Sequence, residues 1–275
     1  MDDKTFEELR KIVYNLSGIR LTDQKKALVS ARLNKRLRAL RIDSYNDYLE
    51  YLINDREGNE IIQMIDVITT NVTSFFREAD HFDFLKEIMI SWVNSGYRRF
   101  RIWSAGCSTG EETYSIAFTI LNSIPTYADM DLRILGSDIS TDVINRAKKG
   151  EYDEEKMRNV PYNYQKRFFI RTIENGQVKY KVTDFVKNYI IFRRLNLSYF
   201  PLPLKGPLDV IFCRNVMIYF GSSIRESLVR ELYRLLKPGG YLFLGHSESI
   251  IGMEVGFKVV KPSVYLKPSV EKDEE

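Results

Sequence analysis

From Phe100 onward, short apolar runs alternate with amphipathic stretches, and this rhythm leaves few architectures open to the chain. The apolar runs have the length of buried strands and lie at 101–104, 132–137, 189–193, 208–213 and 240–244. The stretches near 111–123, 140–149 and 222–236 have the length of helices. Because strands separated by helices are joined by right-handed crossovers, we predict an α/β domain with a mostly parallel sheet and helices on both faces. The final stretch, 256–266, alternates as a closing strand or hairpin would.

The first 67 residues have a different texture, with apolar side chains three and four positions apart. This spacing places them on one face of a helix. Gly18 and the pair Asp43-Ser44 interrupt the pattern, and Ser44 is a favourable N-cap residue. We therefore predict an all-helical domain at 1–67 and the α/β domain at 68–275, joined through a linker at 68–78.

One segment breaks the α/β rhythm. Asn175-Gly176 stands between two alternating runs, 167–173 and 177–182, and Asn-Gly in that setting is a strong hairpin signal. We expect a small antiparallel β insert at about 164–188.

The composition indicates a globular protein, because 44% of the residues are hydrophobic and 41 basic residues nearly balance 37 acidic ones. The longest apolar runs fall far short of the roughly 20 residues that span a bilayer, and the start of the chain is polar. We therefore expect a cytoplasmic protein without membrane insertion. Two cysteines and two histidines show no ligand spacing, so no metal site is predicted.

The first predicted parallel strand ends in a glycine turn, 104–112, that leads directly into a helix. Glycines such as Gly106 let the backbone approach a ligand, and a helix N-terminus offers unpaired N–H groups. The spacing is G-x-x-x-G, which matches neither the dinucleotide motif nor the P-loop. Since Glu111 and Glu112 would repel phosphate, S-adenosylmethionine fits better than a nucleotide. The alternative is a turn whose glutamates only favour the first helical turn.

Three further polar residues follow predicted strands. Asp138 ends the second strand, where open α/β sheets bind ribose hydroxyls, although it could instead cap the next helix. Asn215 and Tyr219 follow the fourth strand and should lie at the rim of the site, unless Tyr219 only packs against the sheet edge. Val216-Met217 stands where amino-methyltransferases acting on bases carry two prolines, which argues against a nucleobase substrate.

Two polar segments precede the α/β domain. The linker stretch 69–78 carries five hydroxyl or amide side chains, two phenylalanines and Arg77, so we expect it to fold over the cofactor site. An N-cap with a buried phenylalanine pair is the alternative. The second helix is strongly basic and should attract a polyanion or an acidic helix, unless its charges are only solvated. Its predicted binding face comprises Lys25, Arg32, Lys35 and Arg36.

Taken together, four segments in register resemble the bacterial chemotaxis receptor methyltransferases, the CheR family. They are 69–78, 103–112, 137–139 and 213–220, and the later 236–240 and 245–248 extend the likeness over nearly the whole chain. The resemblance implies a Rossmann-like methyltransferase domain and methyl transfer from S-adenosylmethionine to glutamate side chains on the cytoplasmic helical domain of chemoreceptors. S-adenosylhomocysteine would be the other product.

The resemblance also implies roles for individual residues. Arg77 and Tyr219 would be catalytic, the basic second helix would bind the receptor, and the β insert would bind a receptor C-terminal peptide in some members. The cofactor contacts implied, beside Gly106 of the glycine turn, are Asn71, Thr73, Arg77, Glu112, Asp138, Asn196, Leu197, Asn215 and Val216. A nucleic-acid methyltransferase, a non-catalytic adaptor and, less favoured because of its glycine spacing, a nicotinamide dehydrogenase remain as alternatives.

Overall fold

The computed structural model of the chain describes residues 1–55, 59–68, 73–125, 127–174 and 176–269. Its helices are α1 (Asp3–Ser17), α2 (Lys26–Leu40), α3 (Tyr45–Ile53), α4 (Asn59–Ile68), α5 (Asp80–Asn94), α6 (Glu111–Ser123), α7 (Thr141–Lys149), α8 (Tyr162–Phe168), α9 (Asp184–Lys187) and α10 (Ser222–Leu235). Its strands are β1 (Arg99–Ala105), β2 (Asp131–Asp138), β3 (Glu151–Asp153), β4 (Phe169–Glu174), β5 (Gln177–Val182), β6 (Ile190–Arg194), β7 (Leu208–Cys213), β8 (Leu236–Leu244), β9 (Lys258–Lys261) and β10 (Val264–Leu266).

Helices α1 to α4 confirm the helical reading of the first part of the chain. The predicted cap Ser44 accepts a hydrogen bond from the backbone N–H of Asp47 at 3.1 Å, and Asp2 caps α1 in the same way. The apolar faces of these helices enclose a separate core that includes Phe6, Leu33 and Leu49.

A seven-stranded sheet in the order β6-β2-β1-β7-β8-β10-β9 forms the centre of the second half. The strands β6, β2, β1, β7 and β8 are parallel, and β10 pairs antiparallel with β8 and β9. The predicted mostly parallel sheet and its closing hairpin are therefore confirmed. The strand order reverses direction between β1 and β7, and such a switch point opens a crevice at the carboxyl ends of the two strands.

The antiparallel insert is present but larger than the sequence indicated. Strands β4 and β5 pair from Phe169↔Val182 to Glu174↔Gln177, which confirms the hairpin, and Gly176 has a φ of +76°. Asn175, the other turn residue, lies outside the described residues. A third strand, β3, pairs with β5 and was not predicted, because three residues are too few to show alternation.

Two apolar cores lie on the two faces of the large sheet, one around Phe118 and Phe212 and the other around Leu228 and Leu242. Helix α5, which the sequence interpretation did not include, packs against α6 and buries Phe82 and Leu85 in the first core. No described helix has both the length and the apolarity to cross a bilayer.

Candidate active site

A cavity of about 340 Å³ lies where the carboxyl ends of β1 and β7 meet the helical half of the chain. Its volume is within the range of small-molecule sites. Eleven of the residues singled out from the sequence line it: Lys25, Thr73, Arg77, Gly106, Glu112, Asp138, Asn196, Leu197, Asn215, Val216 and Tyr219. Asn71 lies outside the described residues, and Arg32, Lys35 and Arg36 are not among the residues that line the cavity.

The glycine turn after β1 is held against the end of β2 and the loop after β7. The backbone N–H groups of Gly106 and Cys107 donate to the Ser137 carbonyl at 2.7 and 2.8 Å. Gly106 has a φ of +78°, and a Cβ on it would lie 2.3 Å from a methyl carbon of Val216. This contact allows no side chain, so glycine is required for the two loops to meet.

Asp138 lies at the end of β2 with its carboxylate turned toward the glycine turn. Its two oxygens accept backbone N–H bonds from Ser108 at 2.9 Å and Ser140 at 3.0 Å. Burial raises the pKa of Asp138, and these bonds oppose that rise. The hydroxyl of Ser140, rather than Asp138, caps α7 through the Val143 N–H. The capping alternative for Asp138 is therefore wrong, and Asp138 lines the cavity.

Arg214, to which the sequence interpretation gave no role, connects three segments beside the cavity. Its side chain is 1% exposed and pairs with Glu78 at 3.0 Å and Glu112 at 3.3 Å. It also donates to the carbonyl oxygen of Arg77. Burial raises the pKa of Glu112, while Arg214 and a 2.7 Å hydrogen bond from Ser104 lower it. Arg214 thus fixes the linker and the glycine turn relative to each other.

Glu248 fixes the loop that follows β7. Its carboxylate accepts backbone N–H bonds from Asn215 at 2.7 Å, Val216 at 2.9 Å and Met217 at 2.8 Å. Ile218 and Gly245 donate to it as well. A buried carboxylate with so many donors rigidifies the loop that carries Asn215 and Tyr219. The sequence showed Glu248 as part of a motif but gave no sign of this role.

The described part of the linker contributes side chains to the wall of the cavity. Thr73, Ser74 and Arg77 line it, and Lys156 donates to the Thr73 carbonyl oxygen at 2.8 Å. The same ammonium group lies 2.9 Å from Glu111, which is fully buried and does not line the cavity. Phe75 is also fully buried. The alternative prediction for the linker, an N-cap with a buried phenylalanine pair, therefore describes this part of the segment. Thr69, Thr70, Asn71 and Val72 lie outside the described residues.

Backbone strain is concentrated around this site. Among the described residues, six non-glycine residues have positive φ, and Phe76, Glu78, Ser108 and Asn215 belong to the linker and loops that form the cavity. Each such conformation costs on the order of 1–3 kcal/mol. Strain of this kind persists where surrounding contacts hold the backbone in place. The hydrogen bond from the Asn215 N–H to Glu248 is such a contact.

The helical half supplies the remaining wall. The Arg20 N–H donates to the Tyr219 carbonyl oxygen at 2.8 Å, and Asn196 donates to the Leu16 carbonyl oxygen at 2.8 Å. The Lys25 ammonium lies 4.8 Å from the centre of the half-buried Tyr219 ring, a cation–π contact. The cavity is therefore shared between the two halves of the chain.

The four basic residues predicted to form one binding face occupy three different environments. Lys25 belongs to a 3₁₀ turn (Asp23–Lys25) before α2, and Lys35 is exposed. Arg32 donates to the Ile68 carbonyl oxygen at 2.9 Å. Arg36 forms a bidentate pair with Glu60, which is 4% exposed. The angular spacing of the residues could not reveal that α4 packs against α2 and takes up two of these side chains.

The cavity residues fit S-adenosylmethionine. The carboxylates of Glu112 and Asp138 line it beside the glycine turn, and that arrangement suits a ligand with a cationic ammonium, a sulfonium and a ribose diol. A phosphate-bearing ligand would meet these carboxylates unfavourably. Open parallel sheets bind ribose hydroxyls at an acidic residue that ends the second strand, which is the position of Asp138. Gly106 and Val216 lie close together between the ends of β1 and β7.

Models of known protein families match both halves of the chain. The model of the CheR methyltransferase SAM-binding domain matches residues 71–266, and that of the CheR methyltransferase all-alpha domain matches residues 4–69. Chemotaxis protein methyltransferase 2 of Pseudomonas aeruginosa is 38% identical over 94% of this chain and 91% of its own length. The chemotaxis protein methyltransferase of Escherichia coli is 37% identical over 96% of this chain and 91% of its own length.

A solved structure, magnesium protoporphyrin IX methyltransferase from Synechocystis with bound SAM, covers 78% of this chain and 87% of its own with a TM-score of 0.34 and 16% identity. A likeness at that level carries no argument. The two family models and the curated relatives are sufficient to assign the family, because together they span both the helical half and the sheet that forms the cavity. On that ground the chain belongs to the CheR methyltransferase family.

Proposed function

We propose that this protein transfers a methyl group from S-adenosylmethionine to specific glutamate side chains of chemoreceptors, and that the methyl esters serve sensory adaptation in chemotaxis. The family model for the SAM-binding domain and the relatives named chemotaxis protein methyltransferase support this function. The observation that carries it is the cavity at the β1–β7 switch point, where Glu112, Asp138 and the Asn215 loop converge. The cytoplasm is the proposed place of action.

Methyl transfer to a glutamate carboxylate requires little proton transfer by the protein. When bound, S-adenosylmethionine supplies an electrophilic methyl group on a sulfonium leaving group. A glutamate side chain has an ordinary pKa near 4.3, so its carboxylate is already ionised at neutral pH. One carboxylate oxygen forms the new bond to the methyl carbon while the carbon–sulfur bond breaks, and no general base is needed. This agrees with a cavity lined by neither histidine nor cysteine among the described residues.

Alignment is then the main contribution of the enzyme, and it can lower a barrier by up to roughly 7–11 kcal/mol in favourable cases. We assign this role to Arg77 and Tyr219, which line the cavity. Arg214 holds the backbone of Arg77, and the Arg20 N–H holds that of Tyr219. Asn71 and Thr73 of the linker are proposed cofactor contacts, together with Asn196 and Leu197.

We assign receptor recognition to the basic segment that carries Lys25, Arg32, Lys35 and Arg36. Within it, Arg32 and Arg36 hold α2 against α4, and Lys25 and Lys35 would contact the receptor. Lys35 is the exposed member of this group, and Lys25 lies at the cavity itself. The substrate element would be the acidic face of the receptor's cytoplasmic helical domain. A receptor C-terminal peptide could pair with an edge strand of the insert, where β4 forms one edge of the β3-β5-β4 sheet.

The nature of the labelled product tests this function. Tritiated S-adenosylmethionine is incubated with the purified protein and either a receptor cytoplasmic fragment or RNA and DNA. We expect label on the receptor that is released by alkali as methanol, as a glutamyl ester requires. Alkali-stable label in nucleic acid would instead support a nucleic-acid methyltransferase. An adaptor with no functional pocket would give neither label nor heat on titration with S-adenosylmethionine.

The Tyr219→Phe substitution tests the alignment role in the same assay. We expect kcat to fall at least about tenfold, which corresponds to about 1.4 kcal/mol of the barrier, while the Kd of S-adenosylmethionine stays the same. Tyr162→Phe, at a side chain 68% exposed in α8, is the matched control and should not change kcat. Full turnover of the Tyr219 variant would show that this hydroxyl has no part in alignment.

A further inference from the structure

Next to Arg214, three side chains converge that do not line the cavity and that the proposed reaction does not use. Glu78, His81 and His246 each present one ligand atom within 4.8 Å of the other two. Asp80 extends the group, because its carboxylate oxygen lies 3.2 Å from Nε2 of His246. We propose that these residues form a binding site for a divalent transition-metal ion such as zinc, distinct from the methyl-transfer cavity.

His81 gives the strongest indication of a missing ligand. It is 1% exposed, and neither of its ring nitrogens has a hydrogen-bond partner. Nδ1 is 3.6 Å from Oε2 of Glu78, which is too long for a hydrogen bond. Buried polar groups are nearly always satisfied, so an imidazole of this kind needs an explanation.

The separations suit a shared cation. Zinc binds imidazole nitrogen at about 2.0–2.1 Å and carboxylate oxygen at about 2.0–2.2 Å, so tetrahedral ligands lie roughly 3.4 Å apart. The distance from Nε2 of His246 to Oε2 of Glu78 is 3.9 Å, and the other two measured pairs are 3.6 and 3.2 Å. Small side-chain movements would bring the ligand atoms of Glu78, His81 and His246 onto one ion, and Asp80 adjoins them through His246. Two imidazoles with carboxylates are a donor set that zinc and related ions prefer.

The charges also suit a cation. The carboxylates of Glu78 and Asp80 supply negative charge beside the two imidazoles, and Glu78 also pairs with Arg214 at 3.0 Å. Carboxylate ligands of metals are commonly hydrogen-bonded to such outer partners.

Sequence spacing could not reveal this cluster. Glu78, Asp80 and His81 surround the start of α5, whereas His246 follows β8 at the far end of the chain. An ion bound here would join these two segments, one residue after Arg77 and two residues before Glu248. It would stabilise the folded arrangement of both, independently of whether the cavity transfers methyl groups.

The small number of histidines and cysteines in the chain simplifies the test of this site. The chain contains two histidines, both in this cluster, and its two cysteines are buried. The full-length protein, without an affinity tag and freed of metal by a chelator, is titrated with Zn²⁺ by calorimetry and with Co²⁺ by visible absorption. We expect one ion per chain, and we expect the imidazole NMR signals of both histidines to shift on adding Zn²⁺.

Two substitutions at exposed ligands avoid disturbing the core. The side chains of His246 and Asp80 are 48% and 61% exposed, so His246→Ala and Asp80→Asn change the surface of the protein. His246→Ala should weaken Zn²⁺ binding at least about tenfold. Asp83→Asn, at an exposed carboxylate on the same helix, is the matched control and should bind as the unchanged chain does. Circular dichroism verifies that each variant is folded.

The proposal is overturned by absence of Zn²⁺ binding, by histidine signals that do not move, or by equal affinity in the folded His246→Ala variant. S-adenosylmethionine binding by the same samples, measured separately, distinguishes this failure from a failure of the methyltransferase function. Zn²⁺ binding without methyl transfer would support the metal site and contradict the methyltransferase function. Methyl transfer without Zn²⁺ binding would support that function and contradict the metal site.

Discussion

A single methyl group added at Gly106 would fall inside the space of Val216. Gly106→Ala places a Cβ 2.3 Å from that side chain at a φ of +78°, so the loops after β1 and β7 must separate. We expect the affinity for S-adenosylmethionine to fall at least about tenfold, or 1.4 kcal/mol. Calorimetric titration measures it. Gly96→Ala has a similar φ of +89° with nothing within 4 Å, so it isolates the backbone cost and should bind normally.

His81 should make the metal-free protein sensitive to acid. Its folded-state pKa is lowered to about 4 from an ordinary 6.5, so the unfolded chain takes up a proton over a pH range in which the folded chain does not. The stability is therefore complete above pH 6.5 and is lost as the pH falls toward 4. His81 alone should remove about 2 kcal/mol of the free energy of unfolding between pH 7 and pH 5.

NMR titration of the two imidazoles measures this pKa directly, with His246→Ala assigning the signals, and urea unfolding at the two pH values measures the loss. A His81 signal that titrates near its ordinary pKa would contradict the burial seen here. An unfolding free energy that does not change between the two pH values would do so as well.

The candidate site was predictable from sequence where local patterns carry it, and not where distant partners do. Gly106, Asp138 and Asn215 follow predicted strands, so the rule for parallel sheets places them together. Arg214 and Glu248 have no such signal, because their roles depend on contacts with Glu78, Glu112 and the loop at 215–218. A buried arginine and a solvated one look alike in a sequence.

Helix α2 stabilises the helical part of the chain and has a proposed role in receptor binding. Its sequence does not show which side chains serve which role. Arg36 reaches Glu60, which also accepts from the Tyr48 hydroxyl at 2.8 Å, so α2, α3 and α4 are joined through one buried carboxylate. Burial and Glu60 raise the pKa of Tyr48, which keeps it a donor. Lys35, one residue away, is exposed to solvent. Stability and receptor binding should therefore respond to different side chains of this helix.

Two substitutions in α2 test that separation. Arg36→Ala leaves Glu60 buried without its partner and should cost about 3–5 kcal/mol of unfolding free energy, measured by urea denaturation. Lys35→Glu should leave stability within about 0.5 kcal/mol but lower kcat/KM for a receptor fragment about fivefold, or 1 kcal/mol. Lys11→Glu, an exposed lysine on α1, is the control for net charge. Equal activity of the Lys35 and Lys11 variants would remove α2 from receptor recognition.

Strands and helices were predictable in proportion to their length and periodicity. The parallel strands and α6, α7 and α10 have runs long enough to show a period, and they were found within a few residues. Strand β3 spans three residues and forms only through its pairing with β5, so nothing local signals it. Helix α5 was not predicted, although its buried apolar residues Phe82, Leu85 and Met89 have helical spacing.

The two halves of the chain meet at the cavity, and neither encloses it alone. The Ile19–Phe220 bridge and the Asn196–Leu16 bond join the helical part to the loops beyond the sheet, while the linker covers another side. The proposed domains at 1–67 and 68–275 are therefore units of packing that share one site. Closing a site between two parts removes water from it, which strengthens the electrostatic interactions inside.

A crystal structure of the protein with S-adenosylhomocysteine tests this account most directly. We expect the ligand between the strand ends, with its ribose at Asp138, its neighbours Gly106 and Val216, and the linker residues Thr73 and Arg77 closed over it. The same ligand bound elsewhere on the sheet, or a linker turned outward into solvent around a bound ligand, would contradict it.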